Sequence, residues 1–83
     1  MYTKLPRVSG NKLLKMLQRL DYKIVRRRGS HIRLRKVSKA GEHLITVPFH
    51  KELAKGTLND ILKRVSEWNQ IPKENLLEKL KER

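Results

Sequence analysis

The chain has no cysteine among its 83 residues. A disulfide framework and a thiolate metal site are therefore excluded, and nothing asks for an oxidising compartment. Long hydrophobic runs are missing too, and no stretch approaches the roughly 18 apolar residues that a membrane helix needs. The opening MYTKLPRVSG lacks the apolar core of a secretory signal. These absences lead to the expectation of a soluble cytoplasmic protein with no membrane partner. Acids are scarce: eight Asp and Glu stand against 21 Lys and Arg, a net charge of +13. The three histidines, His31, His43 and His50, form no HxxxH pair, so no metal and no cofactor is expected. No Gly-rich phosphate loop ends in Lys-Ser/Thr and no Gly-x-Ser-x-Gly elbow occurs, which argues against nucleotide hydrolysis and serine-hydrolase chemistry.

What the chain has is positive charge, gathered at one end. Residues 1–36 hold 12 Lys or Arg and one acid, a balance of +11. Residues 37–83 hold 9 and 7, a balance of +2. Such asymmetry points to a polyanion, and nucleic acid is the leading partner class. The bland reading, a solvated face that only aids solubility, leaves the uneven distribution unexplained. The densest stretch, RRRGSHIRLRK over residues 26–36, sets His31 among six cations.

The hydrophobic period assigns the elements. Ser9 is a helix N-cap, and Leu13, Leu14, Met16, Leu17 and Leu20 make one apolar stripe behind it. Asp21 tolerates the left-handed conformation that a helix end often needs. From Tyr22 the period becomes two. Tyr22, Ile24, Ile32 and Leu34 alternate with charges, and His43–Val47 makes a third strand closed by Pro48. A hairpin with its turn at Ser38–Glu42 pairs residues whose numbers sum to 79. Ile32 then faces Val47 and Leu34 faces Ile45 on a core side, while Arg33, Arg35 and His31 lie on the other. Turning Tyr22 and Ile24 inward calls for a three-residue loop, Arg28-Gly29-Ser30, with Gly29 free to take positive φ. Thr57 and Asp60 resemble a capping box for a second helix striped by Leu58, Ile61, Leu62 and Val65. Pro72 begins a short third helix, to about residue 82, with Leu76, Leu77 and Leu80 on one side. The fold class is α+β in the order α-β-β-β-α plus a tail helix. Helices cover one side of a three-stranded antiparallel sheet and leave the basic side open. The chain reads as one domain, with its core over about 5–66 and a C-terminal helix over about 72–82.

Three histidines could carry chemistry. His43 shares the core-side parity with Lys36 at the far end of the hairpin and reads as structural or exposed. His50 follows Val47-Pro48-Phe49 and shares an end of the sheet with His31. Its plain role is a loop residue, its chemical role catalysis or phosphate positioning. His31 follows Gly29-Ser30 and points to the basic face. Fixed positive charge favours a neutral imidazole, which is a competent general base. Arg26, Arg27, Arg28, Arg33, Arg35 and Lys36 would draw RNA, whose 2′-hydroxyl sits beside a phosphate. On these residues alone, a catalytic His31 and a phosphate-contacting His31 in a passive binder stand level.

Four motifs then carry a resemblance. SGNKLLKML from Ser9, YKIVRRRGSH from Tyr22, VPFH at residues 47–50 and KGTLNDILK from Lys55 follow one another as in the HicA toxins of HicA–HicB toxin–antitoxin pairs. The resemblance covers most of the chain. It implies a fold like a double-stranded-RNA-binding domain. It also implies a metal-independent endoribonuclease acting on mRNA, a catalytic histidine in Gly29-Ser30-His31, and a HicB-type antitoxin as partner. Asp21 stands where the family often has Gly. The arginine triplet and the following turn vary in the family, so their contacts are not implied. The alternative on the same fold is a non-catalytic double-stranded-RNA binder.

Overall fold

Six elements follow one another in the computed structural model, which describes residues 5–81: α1 (Gly10–Arg19), β1 (Lys23–Arg28), β2 (His31–Ser38), β3 (Gly41–Pro48), α2 (Lys55–Asn69) and α3 (Lys73–Lys81). The strands form one antiparallel sheet in the order β1-β2-β3. This is the α+β, double-stranded-RNA-binding-domain-like order expected from the sequence.

Ser9 caps α1 as its residue type suggests. Its backbone is extended, and its Oγ accepts the Lys12 N–H at 3.0 Å. Past Leu20, Asp21 takes φ 72°, the left-handed turn that swings the chain into β1. The Tyr22 N–H then closes the helix end by donating to the Leu17 carbonyl at 3.0 Å.

The β2–β3 register is the expected one, with Ile32 opposite Val47 and Leu34 opposite Ile45. All four are at most 4% exposed. A one-residue slip would turn all four outward at roughly 1.5–3 kcal/mol each, comparable with a small domain's whole stability. The turn is tighter than Ser38–Glu42. Pairing continues to Ser38 and Gly41, leaving only Lys39 and Ala40 outside the ladder. Gly41, at φ 118°, adopts the geometry that closes it.

The β1–β2 connection departs from the expected three-residue loop. Arg28 pairs with His31, so only Gly29 and Ser30 make the turn, with Gly29 at φ 58°. Inward parity is restored by a bulge at Val25, between the Ile24–Leu34 and Arg26–Arg33 pairs. One extra residue in β1 lets Ile24 face the core while the ladder runs on to the tight turn.

The second helix begins at Lys55, not Thr57, and Thr57–Asp60 is not its capping box. Leu53 is buried, and its N–H donates to the Val8 carbonyl at 2.8 Å. The chain therefore enters the helix directly from that anchor. Ala54 stands at the N-cap without a side-chain bond. Pro72 sits one residue before α3, and its carbonyl accepts the Asn75 N–H at 2.9 Å. The expected end of this helix at residue 82 lies outside the described residues. Leu76, Leu77 and Leu80 join Val8, Tyr22 and the apolar faces of α1, α2 and the sheet in one hydrophobic cluster. No described helix is long and apolar enough to cross a membrane.

Candidate nucleic-acid interface and active site

The open face of the sheet divides into two ends. At one end a shallow hollow of about 230 Å³ is lined by Arg26, Arg28, His31, Arg33 and Thr46. The β1 bulge makes this grouping. Without it, Arg26 and Arg28 would share the parity of Ile24 and face the helices. With it, Arg26 stands opposite Arg33 and Arg28 opposite His31, all on the open side. All five lining residues are exposed, so their charges meet solvent and any incoming polyanion directly.

His31 is the first residue of β2, directly after the two-residue turn. Its surroundings are fixed by backbone. Arg28 pairs with it from β1 and Pro48 from β3. One residue earlier, the Ser30 carbonyl accepts the Phe49 N–H at 2.6 Å, which ties the Gly29-Ser30 turn to the end of β3. The Gly10 N–H donates to the His50 carbonyl at 2.8 Å, which ties the same segment to the start of α1. Gly10 is required here. A Cβ at this position would overlap the Pro48 carbonyl oxygen and lie 2.9 Å from the Phe49 Cα. His31 thus stands exposed on a rim held by three elements.

Other expected site residues fall differently. His50 lies at the same end, two residues past Pro48, and its side chain is exposed. Arg27 pairs with Ile32 and so carries the opposite parity to Arg26 and Arg28, outside the hollow. Arg35 is on the open face but further along, in an ion pair with Glu42. Lys36 is not on this face. It pairs with His43 on the covered side, and its Nζ donates to Asn69 Oδ1 at 2.6 Å. Thr46, which the charge pattern does not single out, joins the hollow because it stands opposite Arg33. Strand parity was the signal that could have nominated it.

The far, covered-side rim holds a polar cluster that sequence reasoning missed. Asn69 Nδ2 donates to Tyr22 Oη at 2.9 Å, and Tyr22 Oη lies 2.6 Å from His43 Nδ1. The phenol and the imidazole share one hydrogen bond, whose direction is set by the His43 tautomer. The His43 ring stacks on Trp68, with centroids 5.0 Å apart and planes 10° apart. Burial, then Arg64 and Lys36, hold the His43 pKa below the ordinary imidazole value. Burial raises that of Tyr22, partly countered by the Asn69 bond. This joint fastens the β2–β3 hairpin to the end of α2, and His43 is structural.

Among the described residues, no group of three or more His, Cys, Asp or Glu could hold a metal ion. No curated protein and no solved structure matches the chain. A family model does: the HicA toxin of bacterial toxin–antitoxin systems, over residues 10–66. The match runs from the start of α1 into α2 and takes in the whole sheet and the hollow around His31. With well over half of its length matched, the chain belongs to the HicA toxin family.

Proposed function

We propose that this toxin is an endoribonuclease that cleaves mRNA at the His31 hollow with His31 as general base. The observation that carries the reading is the grouping itself: one exposed imidazole among Arg26, Arg28 and Arg33, on a rim fixed by backbone bonds. The arginines draw the phosphate, and the phosphate brings a 2′-hydroxyl with it. His31 takes the hydroxyl proton. The O2′ attacks the adjacent phosphorus, the P–O5′ bond breaks, and the departing 5′ oxygen takes a proton. The products are a 2′,3′-cyclic phosphate and a 5′-hydroxyl. Arg33 and Arg26 stabilise the charge that builds on the phosphorane oxygens. His50, the other histidine at this end of the sheet, is the candidate donor to the leaving oxygen. Gly29 and Ser30 position His31 by closing the turn. Every step is proton transfer or charge stabilisation, which imidazole and guanidinium supply together.

The chain works in this reading as one unit, 1–83, restrained by a HicB-type antitoxin. Carboxylates on that partner would be steered to the same cationic face, so antitoxin and RNA compete. The test is incubation of the purified protein with end-labelled RNA in the presence of a chelator. Cleavage is expected. RNA that is bound and returned intact would make the protein a passive binder instead.

A further inference from the structure

The other end of the open face is apolar. Val25, Val37 and Leu44 are 50%, 63% and 42% exposed, each on a different strand. Leu44 stands directly opposite Arg35, and Val37 lies two residues further along β2 on the same side. The bulge leaves Val25 on that side as well, and Lys23, Val25, Arg35 and Val37 line a shallow hollow of about 240 Å³. A strand residue turned to solvent in so charged a chain is expected to be polar, as Arg33 and Thr46 are at the other end. Val25 and Val37 line this hollow and Leu44 stands across Arg35 from Val25, so three exposed aliphatic side chains on one face offer a partner apolar surface.

Charge selects the occupant. A second copy would set Lys23 against its own image in a chain of net charge +13, and the Arg35–Glu42 pair at this end leaves that charge in place. RNA gains little from Val and Leu, which offer no ring for a base to stack on. A protein with apolar side chains flanked by carboxylates satisfies both the aliphatic trio and the cations beside it. Position matters too. His31 is four residues along β2 from Arg35, about 13 Å at the rise of a strand. A partner seated on the apolar end need overhang by only that distance to cover the histidine.

We propose that Val25, Val37 and Leu44 form the anchoring site for the acidic antitoxin, separate from the residues that hold RNA. The inference rests on the reading of this chain as an RNA-cleaving toxin held by such a partner. It implies that inhibition and catalysis can be uncoupled by mutation. The experiment uses full-length protein, the double variants Val37→Asp/Leu44→Asp and Val37→Thr/Leu44→Thr, and a purified HicB-type antitoxin. Circular dichroism checks the fold, and the Thr pair serves where the Asp pair does not fold. Antitoxin affinity should fall roughly 30-fold or more, as for loss of interface anchors, while RNA cleavage without antitoxin stays within about twofold. The variants should then escape inhibition at antitoxin concentrations that silence the parent. Unchanged antitoxin affinity in a folded variant overturns the anchor and leaves the ribonuclease reading standing. Self-association of the parent, lost in the variants, overturns it in favour of a second copy. A parent that binds antitoxin through these residues yet leaves RNA intact sustains the anchor and overturns the ribonuclease reading.

Discussion

Histidines at the two ends of the β2–β3 hairpin show how one residue type takes opposite roles. His31 is exposed on the open face, whereas His43 is packed on Trp68 and hydrogen-bonded to Tyr22. Burial in the second arrangement disfavours the imidazolium, which links stability to pH. The folded pKa of His43 is lowered from the ordinary 6.5 by burial first, then Arg64 and Lys36. The unfolded chain therefore binds its proton more readily than the folded one. The contribution is intact above about pH 6.5 and is lost as pH falls from there towards the folded pKa. Thermal melts between pH 7.5 and 5.5 should show the parent losing Tm on acidification and His43→Phe, which keeps a ring on Trp68, losing less. Equal slopes would mean that His43 is not the group responsible. Lys36 was misplaced for a related reason. Its position in a basic run suggests RNA, but its parity sends it to Asn69 on the covered side.

Elements meet at the His31 rim through backbone, and glycine decides one of those meetings. Gly10 lets the first turn of α1 lie against Pro48–His50, with its N–H on the His50 carbonyl. Gly10→Ala forces the helix away, an overpacking cost of about 1–3 kcal/mol. Denaturant melts should show that loss, with cleavage falling alongside because the same segment holds the Ser30 turn. A neutral outcome would mean that the rim is free to shift. Much of this level was legible beforehand. The sum-to-79 register, the Ser9 cap and the left-handed Asp21 all follow from alternation and turn chemistry. The Val25 bulge did not, because a bulge satisfies a conflict between loop length and parity that a three-residue loop satisfies as well on paper. That one residue shapes the hollow, since it turns Arg26 and Arg28 to the side of His31. The start of α2 was misread because the buried Leu53 and its bond to Val8, a tertiary contact, outweighed the local Thr57–Asp60 signal. Of the candidate site, the placement of His31 and Arg33 on the open face was legible, and that of Arg26 and Arg28 beside them was not. Thr46 was within reach of the sum-to-79 register, whereas the Tyr22–His43–Trp68 joint needed the third dimension.

The whole molecule sorts its surface by charge and polarity around a small core. Helices seal one face, and the other has a cationic end around His31 and an end carrying the exposed Val25, Val37 and Leu44. The balance of +11 over residues 1–36 makes RNA affinity an electrostatic quantity. Arg26, Arg28 and Arg33 alone should give a log–log salt slope of roughly −2 on single-stranded RNA, at about 0.7 per phosphate. Binding titrations from 50 to 300 mM salt would show it, and a flat plot would move the RNA site elsewhere. The central claim is that His31 moves the proton that starts cleavage. It is tested most directly by product analysis of RNA cut by the parent and by His31→Ala, in chelator, with binding measured in parallel. The account predicts a 2′,3′-cyclic phosphate and a 5′-hydroxyl from the parent. It predicts a loss of about 10²–10⁴ in rate for the variant, with RNA affinity changed by no more than a few-fold. Cleavage by His31→Ala at the parental rate would contradict it.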